Sequence, residues 1–95
     1  MPKGYWIAHV TVTDPDPYGV YVKGASEAFE KYGARVLARG GEVIALEGES
    51  RPRNVVIEFE SLAQAKACYD SPEYQAAREH RIGAGEAQII LLEGA

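Results

Sequence analysis

The sequence predicts an α+β domain in which helices cover one face of a four-stranded antiparallel sheet. Three patterns lead to it: a strict apolar alternation near the N-terminus, a helical apolar stripe directly after it, and a second set of extended and helical segments closing on an apolar run. Residues Tyr5 to Thr13 alternate, with Trp6, Ala8, Val10 and Val12 on one side and Tyr5, Ile7, His9 and Thr11 on the other, as a strand with one covered face does. Asp14-Pro15-Asp16-Pro17 then offers carboxylate caps beside prolines, the chemistry of a helix start. Tyr18, Tyr21, Val22, Ala25, Phe29 and Tyr32 recur at three- and four-residue spacing, and Gly33 follows where a left-handed cap ends a helix.

Ala34 to Arg39 and Glu42 to Leu46 both read as extended, so one long strand bent at Gly40-Gly41 is expected, followed by a polar loop from Gly48 to Pro52. Asn54 to Phe59 is rich in β-branched residues and pairs with that strand as a hairpin. Ser61 with Gln64 fits a capping box, ahead of a stripe of Leu62, Ala65, Cys68 and Tyr69. Ser71-Pro72-Glu73 starts a further helix running to about His80. Gln88 to Glu93, nearly all apolar, reads as a short strand inside the sheet. The order is the split βαβ arrangement of ferredoxin-like domains, βαββαβ, spanning residues 1–95 as one domain. The second sheet face has no element left to cover it, so pairing with a second copy is expected.

Composition narrows the function classes. A chain of 95 residues buries roughly two-thirds of the surface its unfolded form exposes, enough for one modest core and too little for a separate cofactor domain. One Cys and two His fall short of the usual zinc ligand sets, so no metal and no cofactor are expected. The net charge of −4, shared evenly between the two halves, removes the electrostatic motive for nucleic acid. No apolar run approaches the ~20 residues of a helical membrane span, and Met1-Pro2-Lys3-Gly4 leads straight into a strand rather than a secretory core. A cytoplasmic protein is expected, in a reducing compartment that suits the unpaired Cys68.

Several short segments carry a family likeness: Lys3-Gly4-Tyr5-Trp6-Ile7-Ala8, the Val-Thr-Asp-Pro turn around Asp14, Arg39-Gly40-Gly41, Glu47-Gly48, Arg53 to Phe59, and Ser71-Pro72-Glu73-Tyr74. Through them nearly the whole chain resembles the bacterial family known as domain of unknown function 1330. The resemblance implies the dimeric α+β barrel superfamily, which holds small monooxygenases, isomerases, muconolactone-isomerase-like enzymes and proteins without assigned chemistry. It implies a homodimer with pockets between sheet and helices; a shared scaffold does not carry an activity with it.

Two constellations bear on function. Strand alternation turns His9 and Glu58 away from the helices, and if Val36 and Ala38 face the helices then Arg39 joins them. His9 as general acid or base, Glu58 orienting it and Arg39 gripping an anion would make a catalytic set. The same three side chains equally suit a structural ion-pair network at an interface. Tyr18, Tyr21, Tyr69 and Tyr74 form the second group, able to line a pocket for a flat organic molecule, although aromatic stripes at helical spacing belong more often to a core. Arg53 and Arg81, near element ends, can reach over a pocket mouth toward an anion, with surface pairing to Glu as the commoner fate of such residues. Cys68 reads as a small buried residue, and Gly40-Gly41 lacks the lysine and spacing of a phosphate loop.

Two functions remain open at this level. One is a dimer that binds a small ligand or supports another protein, favoured because no motif names a reaction. The alternative is a cofactor-independent enzyme, isomerase or monooxygenase-like, acting on a small anionic or aromatic metabolite through His9, Arg39 and Glu58.

Overall fold

The computed structural model describes residues 2–95; Met1, at the head of the leader segment considered above, lies outside them. The elements run β1 (Gly4–Val12), α1 (Pro15–Lys31), β2 (Arg35–Arg39), β3 (Arg53–Phe59), α2 (Leu62–Asp70), α3 (Pro72–Arg81) and β4 (Gly85–Glu93). The strands pair antiparallel in the order β2-β3-β1-β4, which is the ferredoxin-like topology, its second helical segment split into α2 and α3.

The inner sheet face follows the alternation. Trp6, Ala8 and Val10 of β1 and Val55, Ile57 and Phe59 of β3 are buried beneath Tyr18, Tyr21, Ala25 and Ala28 of α1, Ala65 and Cys68 of α2, and Tyr74 and Ala77 of α3. The aromatic residues share one cluster in which the Trp6 ring meets Phe29 and Tyr74 edge-on, at centroid distances of 5.0 and 4.9 Å. Helix α1 ends where Gly33 turns to φ 71°, a left-handed conformation that a β-carbon would disfavour. Ser71 closes α2 and opens α3: its Oγ donates to the Cys68 carbonyl at 2.7 Å and accepts from the Tyr74 amide at 3.1 Å.

Five local expectations change. Asp14 occupies the N-cap position of α1 but makes no side-chain cap hydrogen bond, leaving Pro15 as the start signal. The Ser61 hydroxyl accepts from the Gln64 amide at 3.0 Å, yet the Gln64 side chain reaches the Tyr32 carbonyl at 3.2 Å instead of closing the box. Glu42 to Leu46 forms no strand, so β2 ends at Arg39 and residues 40–52 make an exposed connection whose far end Arg51 ties to Thr11, 2.8 Å from its hydroxyl. The irregularity in β2 falls before the glycines: Val36 opposes Ile57 and Ala38 opposes Val56, so Leu37 is the extra residue of a bulge. Finally, β4 is longer than expected and stands at the sheet edge, with β1 as its sheet neighbour.

Candidate ligand pocket

A pocket with a cavity volume of about 40 Å³ lies between α1 and the inner sheet face. Its floor is Trp6, Ala8, Val10, Val55 and Ile57, placed there by the alternation of β1 and β3; its wall is Tyr18, Tyr21, Val22 and Ala25, one face of α1. Three arginines join this apolar lining, the exposed Arg39 at the end of β2 and the part-buried Arg53 at the start of β3 and Arg81 at the end of α3, and no carboxylate does.

The register explains how the arginines arrive there. Arg53 opposes Val10, whose side chain is buried under the helices, so Arg53 shares the inner face. Arg39 opposes Val55, also inner, because the bulge at Leu37 reverses the phase of β2. Arg39 is thereby removed from the outer face where unbroken alternation had put it. The Arg53 guanidinium carbon stands 5.7 Å from the Tyr18 ring centre, and that of Arg81 5.2 Å from the Tyr21 ring centre. The Nε atoms of Arg53 and Arg81 are buried without a hydrogen-bond acceptor. Arg78 has the same condition outside the pocket, whereas the Arg53 and Arg81 side chains both belong to the pocket lining. Among the described residues the ion pairs are made by Lys3, Lys31, Arg51 and Lys66, so the surface pairing expected for Arg53 and Arg81 is not formed.

Behind the wall, the Tyr21 and Tyr74 hydroxyls are hydrogen-bonded at 2.9 Å. Burial above all pushes both hydroxyls up from their usual range, helped at Tyr21 by the Tyr74 hydroxyl and opposed at Tyr74 by the Tyr21 hydrogen bond and by Arg81, so both keep their protons at physiological pH. Burial opposes the Arg81 charge, while the oxygens of Tyr74 and Tyr21 favour it and prevail.

The remaining candidates separate. His9 is exposed on the outer face, where its Nδ1–H donates to Asn54 Oδ1 at 2.6 Å, and Asn54 Nδ2 donates to the Arg51 carbonyl. Glu58, on the same outer face, accepts from the Tyr5 hydroxyl at 3.0 Å. His9 opposes Asn54 and Tyr5 opposes Glu58, so His9 and Glu58 stand four residues apart along β3, roughly 13 Å at ~3.3 Å per residue. Within one chain the set of His9, Arg39 and Glu58 is not brought together. The tyrosines also divide: Tyr18 and Tyr21 line the pocket, Tyr74 is sealed in the core, and Tyr69 stacks near Trp6 and borders a separate groove with Lys66, Ile89 and Leu91. Arg81 was legible only as a cation near a helix end, since its approach to the sheet depends on how α3 packs on α1.

A family model described as "Domain of unknown function (DUF1330)" matches residues 3–95. No curated protein matches the chain. Among solved structures, a protein of unknown function from Rhodopseudomonas palustris superimposes with a TM-score of 0.80 at 20% identity, covering 99% of this chain and 83% of that one. SnoaB, a cofactor-independent oxygenase from Streptomyces nogalater, gives a TM-score of 0.70 at 6% identity over 100% of this chain and 95% of its own. A dimeric ferredoxin-like protein of unknown function from Jannaschia gives 0.67 at 12% identity, covering 96% and 98%. At these identities the likenesses establish the fold.

Proposed function

This chain belongs to the DUF1330 family, and on that premise we propose that it is a cytoplasmic homodimer that binds a small, flat, anionic molecule in the arginine pocket. The observation that carries the proposal is that Arg53 and Arg81, each with a buried Nε that lacks an acceptor, both line one aromatic-walled cavity that no carboxylate lines. A buried donor left unsatisfied costs roughly 1–3 kcal/mol, and more when it belongs to a charged group, so acceptor oxygens of an anion brought to these arginines are favoured. The walls select the rest of the ligand: Trp6, Tyr18 and Tyr21 offer ring faces and edges to a planar body.

Dimerisation is supported by the outer sheet face, where Ile90 and Leu92 are each about half exposed and Ile7 and Val56 lie between them and β2. The dimeric description of the Jannaschia relative agrees with it. Catalysis by His9, Arg39 and Glu58 has no comparable support, because Arg39 lies on the opposite side of the sheet from the other two.

Trp6, the single tryptophan, lines the pocket and reports on it directly. Titration with benzoate or terephthalate is expected to change its emission saturably, and Arg53→Ala to weaken that binding by about tenfold, the worth of one charge-assisted hydrogen bond. Absence of a saturable change with either carboxylate rejects the proposal.

A further inference from the structure

We infer that the natural ligand is a dianion, with two separated acidic groups on one flat body. The inference rests on the anion pocket proposed above and goes on to specify the charge and shape of its occupant. Charge balance is the first ground. Arg39 is exposed at the pocket mouth, where water compensates its charge, whereas Arg53 and Arg81 are part-buried and no carboxylate lines the cavity with them, so a monoanion would leave one of those two charges without a partner and a dianion leaves neither.

The second ground is where the cations stand. Arg39 and Arg53 come from adjacent strands, and Arg53 lies along the end of β2, where a β-carbon on Gly40 would come within 3.1 Å of its Nη1. Arg81 comes from the far end of α3. Arg53 and Arg81 sit over different rings, those of Tyr18 and Tyr21, whose centres are 5.3 Å apart. Arg53 and Arg81 thus form two stations, each over its own tyrosine ring. The two rings are inclined at 45°, so a planar molecule that spans them lies flat on one ring only and presents one acidic group to each arginine.

Proton counting adds a third contact. The Tyr21–Tyr74 hydrogen bond uses one of two hydroxyl protons, and among the described residues neither oxygen has another acceptor. Either hydroxyl can donate in that bond; when Tyr74, wholly buried and outside the pocket lining, donates to Tyr21, the Tyr21 proton is free for an acceptor beside Arg81. The acidic group at that end meets a guanidinium and a neutral hydroxyl donor together.

The probes are terephthalate, with carboxylates at opposite ends of one ring, and benzoate, with one, each followed by Trp6 emission and by calorimetry. Terephthalate is expected to bind at least about tenfold tighter than benzoate, and Arg81→Met to reduce that advantage to within about twofold. Arg53→Met repeats the test from the other station, should Arg81→Met fail to fold. Tyr21→Phe, which keeps the ring, is expected to weaken terephthalate more than benzoate. Equal binding of the two probes, or an equal loss of both in the arginine variants, overturns the dianion inference and leaves the anion pocket standing. Binding of neither probe overturns both.

Discussion

Ser71 is the one polar residue among the buried set of the described residues, and its hydroxyl is shared between the end of α2 and the start of α3. Ser71→Ala strands the Tyr74 amide and takes one of two donors from the Cys68 carbonyl, which keeps the Ser71 amide at 3.1 Å, and is expected to lower stability by about 1–2 kcal/mol in urea unfolding. Both bonds sit at the motif Ser71-Pro72-Glu73, which is why this junction was legible: a cap and a first-turn proline are local signals. Cys68, one turn earlier, shows what burial does to a titrating group. Burial first, and the Glu73 charge second, push its thiol from the ordinary value of 9.0 up to about 11. The folded state therefore holds a proton that the unfolded chain releases. Stability is fully retained below about pH 9 and falls as pH rises toward about 11, by about 1.4 kcal/mol per pH unit over that window. Unfolding free energies at pH 8, 9 and 10 are expected to show that fall, and Cys68→Ala, though less stable throughout, is expected to show a shallower one. Arg39 marks the limit of reading single residues: its side of the sheet depended on one residue of bulge that leaves no compositional trace.

Helix α1 carries two glycines whose sequence signatures are alike and whose surroundings differ. At Gly19 nothing lies within 4 Å of where a β-carbon would stand, so Gly19→Ala is expected to stabilise by up to about 1 kcal/mol through helix propensity alone. At Gly24 the added carbon would come 2.9 Å from the β-carbon of Ala77, well inside ordinary carbon contact, and α1 and α3 would have to part. Gly24→Ala is expected to cost about 1–3 kcal/mol despite the same propensity gain; thermal denaturation of the two variants should move in opposite directions. The glycine at 24 is what lets α3 lie close enough to α1 for Tyr74 to reach Tyr21 and for Arg81 to reach the pocket. Sequence periodicity gave both helices their inward stripes because a stripe is a property of one element. It gave no distance between helices, so the pocket assembled from α1, β2, β3 and α3 had to wait for the structure. The segment from Glu42 to Leu46 misled for the opposite reason: its alternation is that of a strand, but no neighbouring strand pairs with it, and extended pattern without a hydrogen-bonding partner is not a strand.

At the scale of the molecule, the chain is a slab of 36 × 33 × 16 Å, one layer of helices on one sheet, with the other sheet face in water. The apolar run of β4 reads differently in that light. An edge strand with Ile90 at 53% and Leu92 at 52% exposure has both faces apolar, as in a strand covered from two sides, and here only the helices cover one. A second copy laid on the outer face covers the other, and solution mass at micromolar concentration is expected to be twice that of the chain. Ile90→Glu places a charge where the two sheets would meet and, being half exposed in the single chain, is not expected to disturb its fold; it should halve the mass while leaving far-ultraviolet circular dichroism unchanged. Because Ile90 and the arginine pocket lie on opposite faces of the sheet, the monomeric variant is expected to keep its response of Trp6 emission to terephthalate. A wild-type chain of monomeric mass would remove the partner from the outer face. Loss of terephthalate binding in a folded Ile90→Glu monomer would mean that the pocket depends on the partner copy, and that the two faces of the sheet act as one site.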